Sequence, residues 1–347
     1  MTIADRWLLP DGMEELLPAQ AARAEALRRR LLDMYACWGY ELVMPPLVEF
    51  TESLLVNGNH DLDLQTCKLT DQLSGRLMGI RADITPQTAR IDAHGLNRSG
   101  AARLCYADSV LHARPKTAMA SRSPIQLGCE LYGASGVEAD TEVISLMLET
   151  ARASGVSHVT LDIGHVAIFR GLAQLAELNN EQEHVLFDIL QRKAATELQT
   201  FVASAVPNPF AAQLLLNLPQ WKGERTVLDQ AQTALASAPS IVRDAIAHLQ
   251  QLATLVQQRA PDVTLYFDLS ELRGYHYHTG AVFSLYVTGC GEAIANGGRY
   301  DDFGAAFGRA RPASGFSTDL KLLLKLGDIT APVLNSIWAL LNGSSEQ

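Results

Sequence analysis

Leu272-Arg273-Gly274-Tyr275-His276-Tyr277-His278-Thr279-Gly280-Ala281-Val282-Phe283 is the segment on which the reading of this chain turns. It sets an arginine, two tyrosines and two histidines between glycines, immediately ahead of an apolar, strand-like run from Ala281 to Val287. Downstream lie Ala295-Asn296-Gly297-Gly298-Arg299-Tyr300-Asp301 and then Gly315-Phe316-Ser317-Thr318. Taken singly, each piece has a plain structural reading. Arg273 can serve an ion pair, and Gly297-Gly298 can be a turn. His276 and His278 alternate with Tyr275 and Tyr277, so one pair can simply face solvent.

Composition narrows the classes. The chain has 347 residues, 48% of them hydrophobic, and a net charge of -10. That is ample for a core in two or three structural units, and the acidic balance argues against a general nucleic-acid binder. The five cysteines, Cys37, Cys67, Cys105, Cys129 and Cys290, show no C-x-x-C spacing. A disulfide framework and a zinc site are both disfavoured, and a reducing compartment is expected. Met1-Thr2-Ile3-Ala4-Asp5 lacks the basic and apolar regions of a signal peptide, and no segment is apolar for about 18 residues. A cytoplasmic protein with no membrane contact is expected.

The chain opens with a loop, Trp7 to Leu17, followed by a helix from Pro18 to about Trp38, with Leu27, Leu31, Met34, Tyr35 and Trp38 on one face. Gly39 ends it, and Glu41 to Met44 reads as a short strand stopped by Pro45-Pro46. Further strands are predicted near Arg76–Ile80, Arg103–Val110, Pro124–Gly133 and His158–Ile163. Helices are predicted from Pro86, with Thr85 as N-cap, over Thr141–Ser154 and over Val166–Leu178. This mixture without βαβ regularity predicts an α+β fold on a largely antiparallel sheet. From Asn180 to Arg259 the chain turns rich in Ala, Leu and Gln with helical spacing. The expected organisation is a discontinuous core, 1–175 plus 260–327, a helical insertion at 176–259, and a short tail at 328–347.

Four segments in register resemble class II aminoacyl-tRNA synthetases, the histidyl branch in particular. Gly39-Tyr40-Glu41-Leu42-Val43-Met44-Pro45-Pro46 is similar to motif 1, which builds the class II dimer. Ile80-Arg81-Ala82-Asp83-Ile84-Thr85 with Ile125-Gln126-Leu127-Gly128-Cys129-Glu130-Leu131-Tyr132-Gly133 resembles the motif 2 region. The Arg273–Gly280 stretch and Gly297-Gly298-Arg299-Tyr300-Asp301 with Gly315-Phe316 complete the match, which spans residues 5 to 326. The resemblance implies an antiparallel class II sheet flanked by helices and a pocket for free histidine. Asp83, Thr85, Gln126 and Glu130 would supply acceptors for the ammonium and a ring N–H. Arg273 offers a fork for the carboxylate, and Tyr277 and His278 can donate to or accept from the ring. Gln126 and Glu130 share one face of a strand by even spacing. Without the resemblance, Asp83 can also be read as a turn or cap residue, and Gln126 and Glu130 as a solvated strand face.

The chain departs from the synthetases where they handle ATP. Their motif 2 loop reads Phe-Arg-x-Glu-Arg-Pro; here it is Val110-Leu111-His112-Ala113-Arg114-Pro115. Their motif 3 reads Gly-Leu-Glu-Arg; here it is Asp319-Leu320-Lys321-Leu322. Leu111 and Leu322 stand for arginines that steady the nucleotide, Ala113 for a glutamate on adenine, and Lys321 for a glutamate associated with metal. Losing one such electrostatic group costs about 10²–10³ in rate. Only 25 residues follow Leu322, too few for the anticodon-binding domain that synthetases carry there, so tRNA is not an expected partner.

A paralogous family combines these traits: the regulatory subunits of ATP phosphoribosyltransferase, the first enzyme of histidine biosynthesis. Tyr275–Gly280 and Asp162-Ile163-Gly164-His165-Val166 resemble that family. The resemblance implies a non-catalytic subunit without cofactor or metal. It would partner a short-form catalytic subunit in a hetero-octamer built on class II-like dimers, with L-histidine as allosteric effector. Arg273 to Gly280 is the candidate moving element. The other readings are a histidine-activating enzyme and a synthetase-like domain that regulates another protein.

Overall fold

The computed structural model describes residues 7–56, 60–115, 120–272, 274 and 277–328. The lead-in ends at helix α1 (Pro18–Cys37), which has Pro18 at its first position and buries Ala24, Leu27, Leu31 and Tyr35 along one stripe. Gly39, at φ +83°, turns the chain into β1 (Glu41–Leu42). This strand is shorter than the predicted Glu41–Met44. Val43 N–H still donates to the Cys105 carbonyl at 2.9 Å, but Pro45 and Pro46 have no N–H to extend the ladder. A small antiparallel sheet follows, built from β2 (Val48–Phe50), β3 (Cys67–Thr70) and β4 (Leu77–Ile80), with short helices α2 (Thr51–Leu54) and α3 (His60–Gln65) between β2 and β3. Helix α4 (Thr85–Arg90) runs into a π-helical turn, Ile91–Leu96, closed by Asn97 at φ 46°.

The main sheet then forms from β5 (Ala102–Ser109) and β6 (Ile125–Tyr132). After helix α5 (Val137–Ala153) come β7 (Val159–His165) and helix α6 (Val166–Leu175). The next stretch is helical: α7 (Asn180–Gln191), α8 (Ala195–Ala205) and α9 (Pro209–Asn217), then a two-residue strand β8 (Lys222–Gly223), α10 (Thr226–Ala234) and α11 (Ser240–Arg259). The chain returns to the sheet with β9 (Thr264–Asp268), β10 (Ala281–Val287), β11 (Ala295–Arg299) and β12 (Ala313–Asp319), and α12 (Leu320–Leu326) closes the described part.

The nine strands stand in the order β1-β5-β6-β12-β11-β10-β7-β9-β8. Only β1·β5 and β7·β9 are parallel, so the sheet is largely antiparallel as expected. Its two faces differ by the period of two along each strand. On β6, Leu127, Cys129 and Leu131 enter the main core beneath α1 and α5, where the Tyr35 and Phe316 rings meet edge-on at 6.4 Å. Gln126, Gly128 and Glu130 face the other way, toward a cavity. The α+β, class II synthetase-like architecture expected from the sequence is the one observed.

Candidate ligand-binding site

A cavity of about 630 Å³ opens on the second face of the sheet, within the size range of small-molecule sites. Its floor depends on glycines. Gly128 lies opposite Tyr106 on β5, and a Cβ there would sit 2.3 Å from the Tyr106 hydroxyl. Gly315, on β12, lies opposite Glu130 on β6, and a Cβ there would sit 1.6 Å from a Glu130 carboxylate oxygen. Only glycine at these positions lets the tyrosine and the glutamate lie across the strands.

Glu130 is the centre of the floor and is 1% exposed. Its Oε1 accepts from Thr85 Oγ1 at 3.1 Å and from the Tyr106 hydroxyl at 3.0 Å, and its Oε2 accepts from the Tyr300 hydroxyl. Burial pushes the carboxyl up to about 8; the Tyr300, Tyr106 and Thr85 hydroxyls pull the other way, while the Asp83 charge adds to the rise. Burial likewise holds the Tyr106, Tyr277 and Tyr300 phenols well above their ordinary range, so all three remain hydroxyls.

Asp83 and Gln126 form a second polar group beside the first. Gln126 Nε2 donates to Asp83 Oδ1 at 2.8 Å, and Gln126 Oε1 accepts from the Ile84 N–H at 2.9 Å. Asp83 Oδ1 also accepts from the Thr85 N–H at 3.0 Å. That corrects one expectation: Thr85 is not an N-cap. Helix α4 begins at Thr85 itself with Ile84 at the cap position, and Asp83 satisfies the first free N–H, leaving the Thr85 hydroxyl for Glu130. The segment is anchored from behind by Arg81, which is 1% exposed. Its guanidinium donates to the Ser109 carbonyl at 2.9 Å and the Pro45 carbonyl at 2.7 Å, and pairs with Asp108 at 2.9 Å.

The far wall includes Gly274, Tyr277 and His278. Tyr277 and His278 N–H both donate to the Gly274 carbonyl, at 2.8 and 2.9 Å. The Tyr277 ring leans on Tyr300 at 4.9 Å and Phe303 at 4.8 Å, and meets His278 edge-on at 5.1 Å. Asp83, Thr85, Gln126, Glu130, Tyr277 and His278 thus all line one cavity. Arg273, the seventh residue singled out from the sequence, lies outside the described residues. Tyr106 and Tyr300 were not singled out, although they hold Glu130. Tyr300 sits in the quoted Gly-Gly-Arg-Tyr-Asp run, while Tyr106 carries no local signal, because its role depends on the glycine across the strand.

The rest of the cavity lining is acidic. Asp61, Asp162, Glu271, Glu292 and Asp319 join Asp83 and Glu130 in the lining. Among the described lining residues Lys325 is the one lysine, and none is arginine. Leu322 lines the cavity, whereas the Lys321 ammonium is engaged by Ser123 Oγ at 3.4 Å and Glu14 at 3.7 Å. Among the described residues there is no cluster of three or more metal-ligating side chains, and no helix is long and apolar enough to cross a membrane.

Residues 12–323 match the family model described as histidyl-tRNA synthetase. A protein of Stutzerimonas stutzeri named ATP phosphoribosyltransferase regulatory subunit is 56% identical over 340 residues, covering 98% of this chain and 86% of that protein. The chain belongs to the ATP phosphoribosyltransferase regulatory subunit family. A solved regulatory subunit/histidyl-tRNA synthetase from Bacillus halodurans superposes with a TM-score of 0.84 at 28% identity, over 93% of this chain and 84% of that one. A chain of the ATP phosphoribosyl transferase (HisG:HisZ) complex from Thermotoga maritima shares the fold, with a TM-score of 0.63 at 19% identity over 86% of this chain and 97% of that one.

Proposed function

We propose that this chain is the non-catalytic regulatory subunit of an ATP phosphoribosyltransferase, and that it binds free L-histidine at the Glu130 end of the cavity. It pairs with a short-form catalytic subunit, activates it, and conveys feedback inhibition when histidine is bound. The observation that carries the reading is the charge of the cavity: a hydrogen-bonded acceptor cluster at the inner end, with carboxylates far outnumbering cations among the described lining residues. Asp83 and Gln126 suit an α-ammonium, and Glu130 with its hydroxyls suits an imidazole N–H. Arg273 is assigned the ligand carboxylate on family resemblance.

The same lining disfavours ATP. A triphosphate needs arginines and Mg²⁺ to hold its developing charge. At the corresponding places stand Leu111, Ala113, Leu322 and a Lys321 engaged elsewhere. The reading therefore has no adenylation step and no role for tRNA.

Self-association is part of the proposal. Trp7, Leu42, Met44 and Leu47 are exposed apolar side chains on the lead-in and around β1, where class II relatives pair. Two such dimers within a hetero-octamer with the catalytic subunit give the assembly that family membership supports. The helical stretch at 176–259 is read as an insertion into a core formed by the segments on either side of it.

Isothermal titration calorimetry with free histidine tests the site. Glu130→Gln is expected to weaken binding by about 10-fold, the worth of one well-placed hydrogen bond. Equal affinity in the two proteins would remove Glu130 from the site, and no binding by the wild type would remove the effector role.

A further inference from the structure

Outside the cavity, a chain of polar groups joins β7 and α11 to residues 277–280. It begins on β7 at His165, the N-cap of α6, whose Nδ1 accepts from the Ala167 N–H at 3.3 Å. That bond leaves the ring proton on Nε2, which faces His248 Nδ1 at 3.3 Å. Burial first, and then His248, hold His165 down to about 3, so it stays neutral. His248, on α11, then turns its Nε2 to Asp140 Oδ2 at 3.2 Å.

Asp140 is wholly buried on α5. Burial works against its charge, but His248 and the Arg299 guanidinium together hold the carboxyl below its usual range. Arg299 grips Asp140 through two nitrogens, at 3.2 and 2.7 Å, and reaches Asp301 at 2.9 Å. From here the chain becomes backbone. The Arg299 carbonyl accepts from the Thr279 N–H at 2.7 Å, Thr279 Oγ1 accepts from the Asp301 N–H at 3.0 Å, and the His278 carbonyl accepts from Arg170 at 2.9 Å. A Cβ at Gly280 would fall 2.9 Å from Arg299 Cδ, so Gly280 packs directly on the methylenes that carry this guanidinium.

We infer that His248 is a positioning residue for the ligand: through Asp140 and Arg299 it fixes the 277–280 backbone that presents Tyr277 and His278 to the cavity. The inference deepens the histidine-site reading and rests on it for the ligand. Its physical basis is that one arginine joins the two ends: its guanidinium holds Asp140 on α5, which His248 also meets, and its carbonyl and methylenes hold Thr279 and Gly280. The donors and acceptors have one consistent direction, so loss of His248 leaves the His165 Nε2–H without its acceptor and Asp140 held by Arg299 alone. Helix α7 meets the cavity directly, through Phe187.

The test uses the full chain, with two readouts. In His248→Phe, free histidine is expected to bind about 10-fold more weakly by calorimetry. Deuterium uptake at the Tyr277, His278 and Thr279 amides is expected to rise by a similar factor without ligand. His248→Gln, which can donate to Asp140 and accept from His165, is expected to fall within about 2-fold of the wild type in both. A lowered melting temperature with unchanged histidine affinity and unchanged uptake at 277–279 would overturn the inference, since a merely structural histidine gives that result. If His248→Phe does not fold, Thr279→Val cuts the same chain at its far end and is read in the same two ways. If the wild type binds no histidine, the site reading fails, while the exchange at 277–279 still decides whether His248 sets the turn.

Discussion

Replacing Glu130 by glutamine probes the electrostatics of the cavity floor directly. Burial lifts this carboxyl from 4.5 to about 8. Between those values the folded protein binds a proton that the unfolded chain has lost. The stabilising contribution is therefore fully present below the unfolded value and is lost as pH rises to and through about 8. Over the interval from pH 5 to pH 8, this one group removes roughly 3 kcal/mol. With an unfolding entropy of about 2 cal/mol/K per residue, a chain of this length loses about 4 °C in Tm from that term. Glutamine keeps the volume but does not titrate, and the Thr85, Tyr106 and Tyr300 hydroxyls can turn to donate or accept. Any cost of imperfect hydrogen bonds is the same at both pH values and cancels in the comparison. Thermal and urea unfolding of the ligand-free proteins at pH 5 and pH 8 should therefore show Glu130→Gln losing less stability than the wild type by that amount. Parallel pH profiles for the two proteins would refute the reasoning, because they would mean that ionising Glu130 carries no penalty.

Three further outcomes are expected. Asp83→Asn keeps the shape but weakens the acceptor that orients Gln126 and starts α4; histidine affinity measured by calorimetry should fall about 10-fold, with a stability loss near 1 kcal/mol. Gly315→Ala drives a methyl to 1.6 Å from Glu130 Oε2 and 2.9 Å from the Cys129 carbonyl, so unfolding should show a loss of about 1–3 kcal/mol, and histidine binding should disappear. The isolated chain should give no histidine-dependent exchange of pyrophosphate into ATP above background, and robust exchange would restore the synthetase reading.

Much of the fold was legible because its signals are local. Pro18 and the Leu27–Leu31–Tyr35 stripe mark α1, and the apolar run Ala281–Val287 is β10 residue for residue. β1 is shorter than its sequence predicts because β propensity at Val43 and Met44 says nothing of where the ladder with β5 must stop. The π-helical turn at Ile91–Leu96 has no periodicity of its own to read. At the site, even spacing put Gln126 and Glu130 on one face, and both line the cavity. Thr85 was misplaced as a cap because a threonine before a proline carries that signal locally, while its hydroxyl is claimed by a glutamate 45 residues away. Tyr106, Arg299 and His248 escaped for the same reason: each acts through a partner brought near only by the sheet or by the return of the chain after α11.

The central claim is that this chain controls a catalytic subunit in response to histidine. The direct measurement is the rate of phosphoribosyl-ATP formation by a purified short-form catalytic subunit, alone, with this chain, and with this chain plus histidine. Addition of the chain should raise the rate, and histidine should reverse the gain by about 5- to 150-fold, the span of an allosteric coupling of 1–3 kcal/mol. A rate indifferent to the chain, or an inhibition by histidine equally strong without it, would contradict the account.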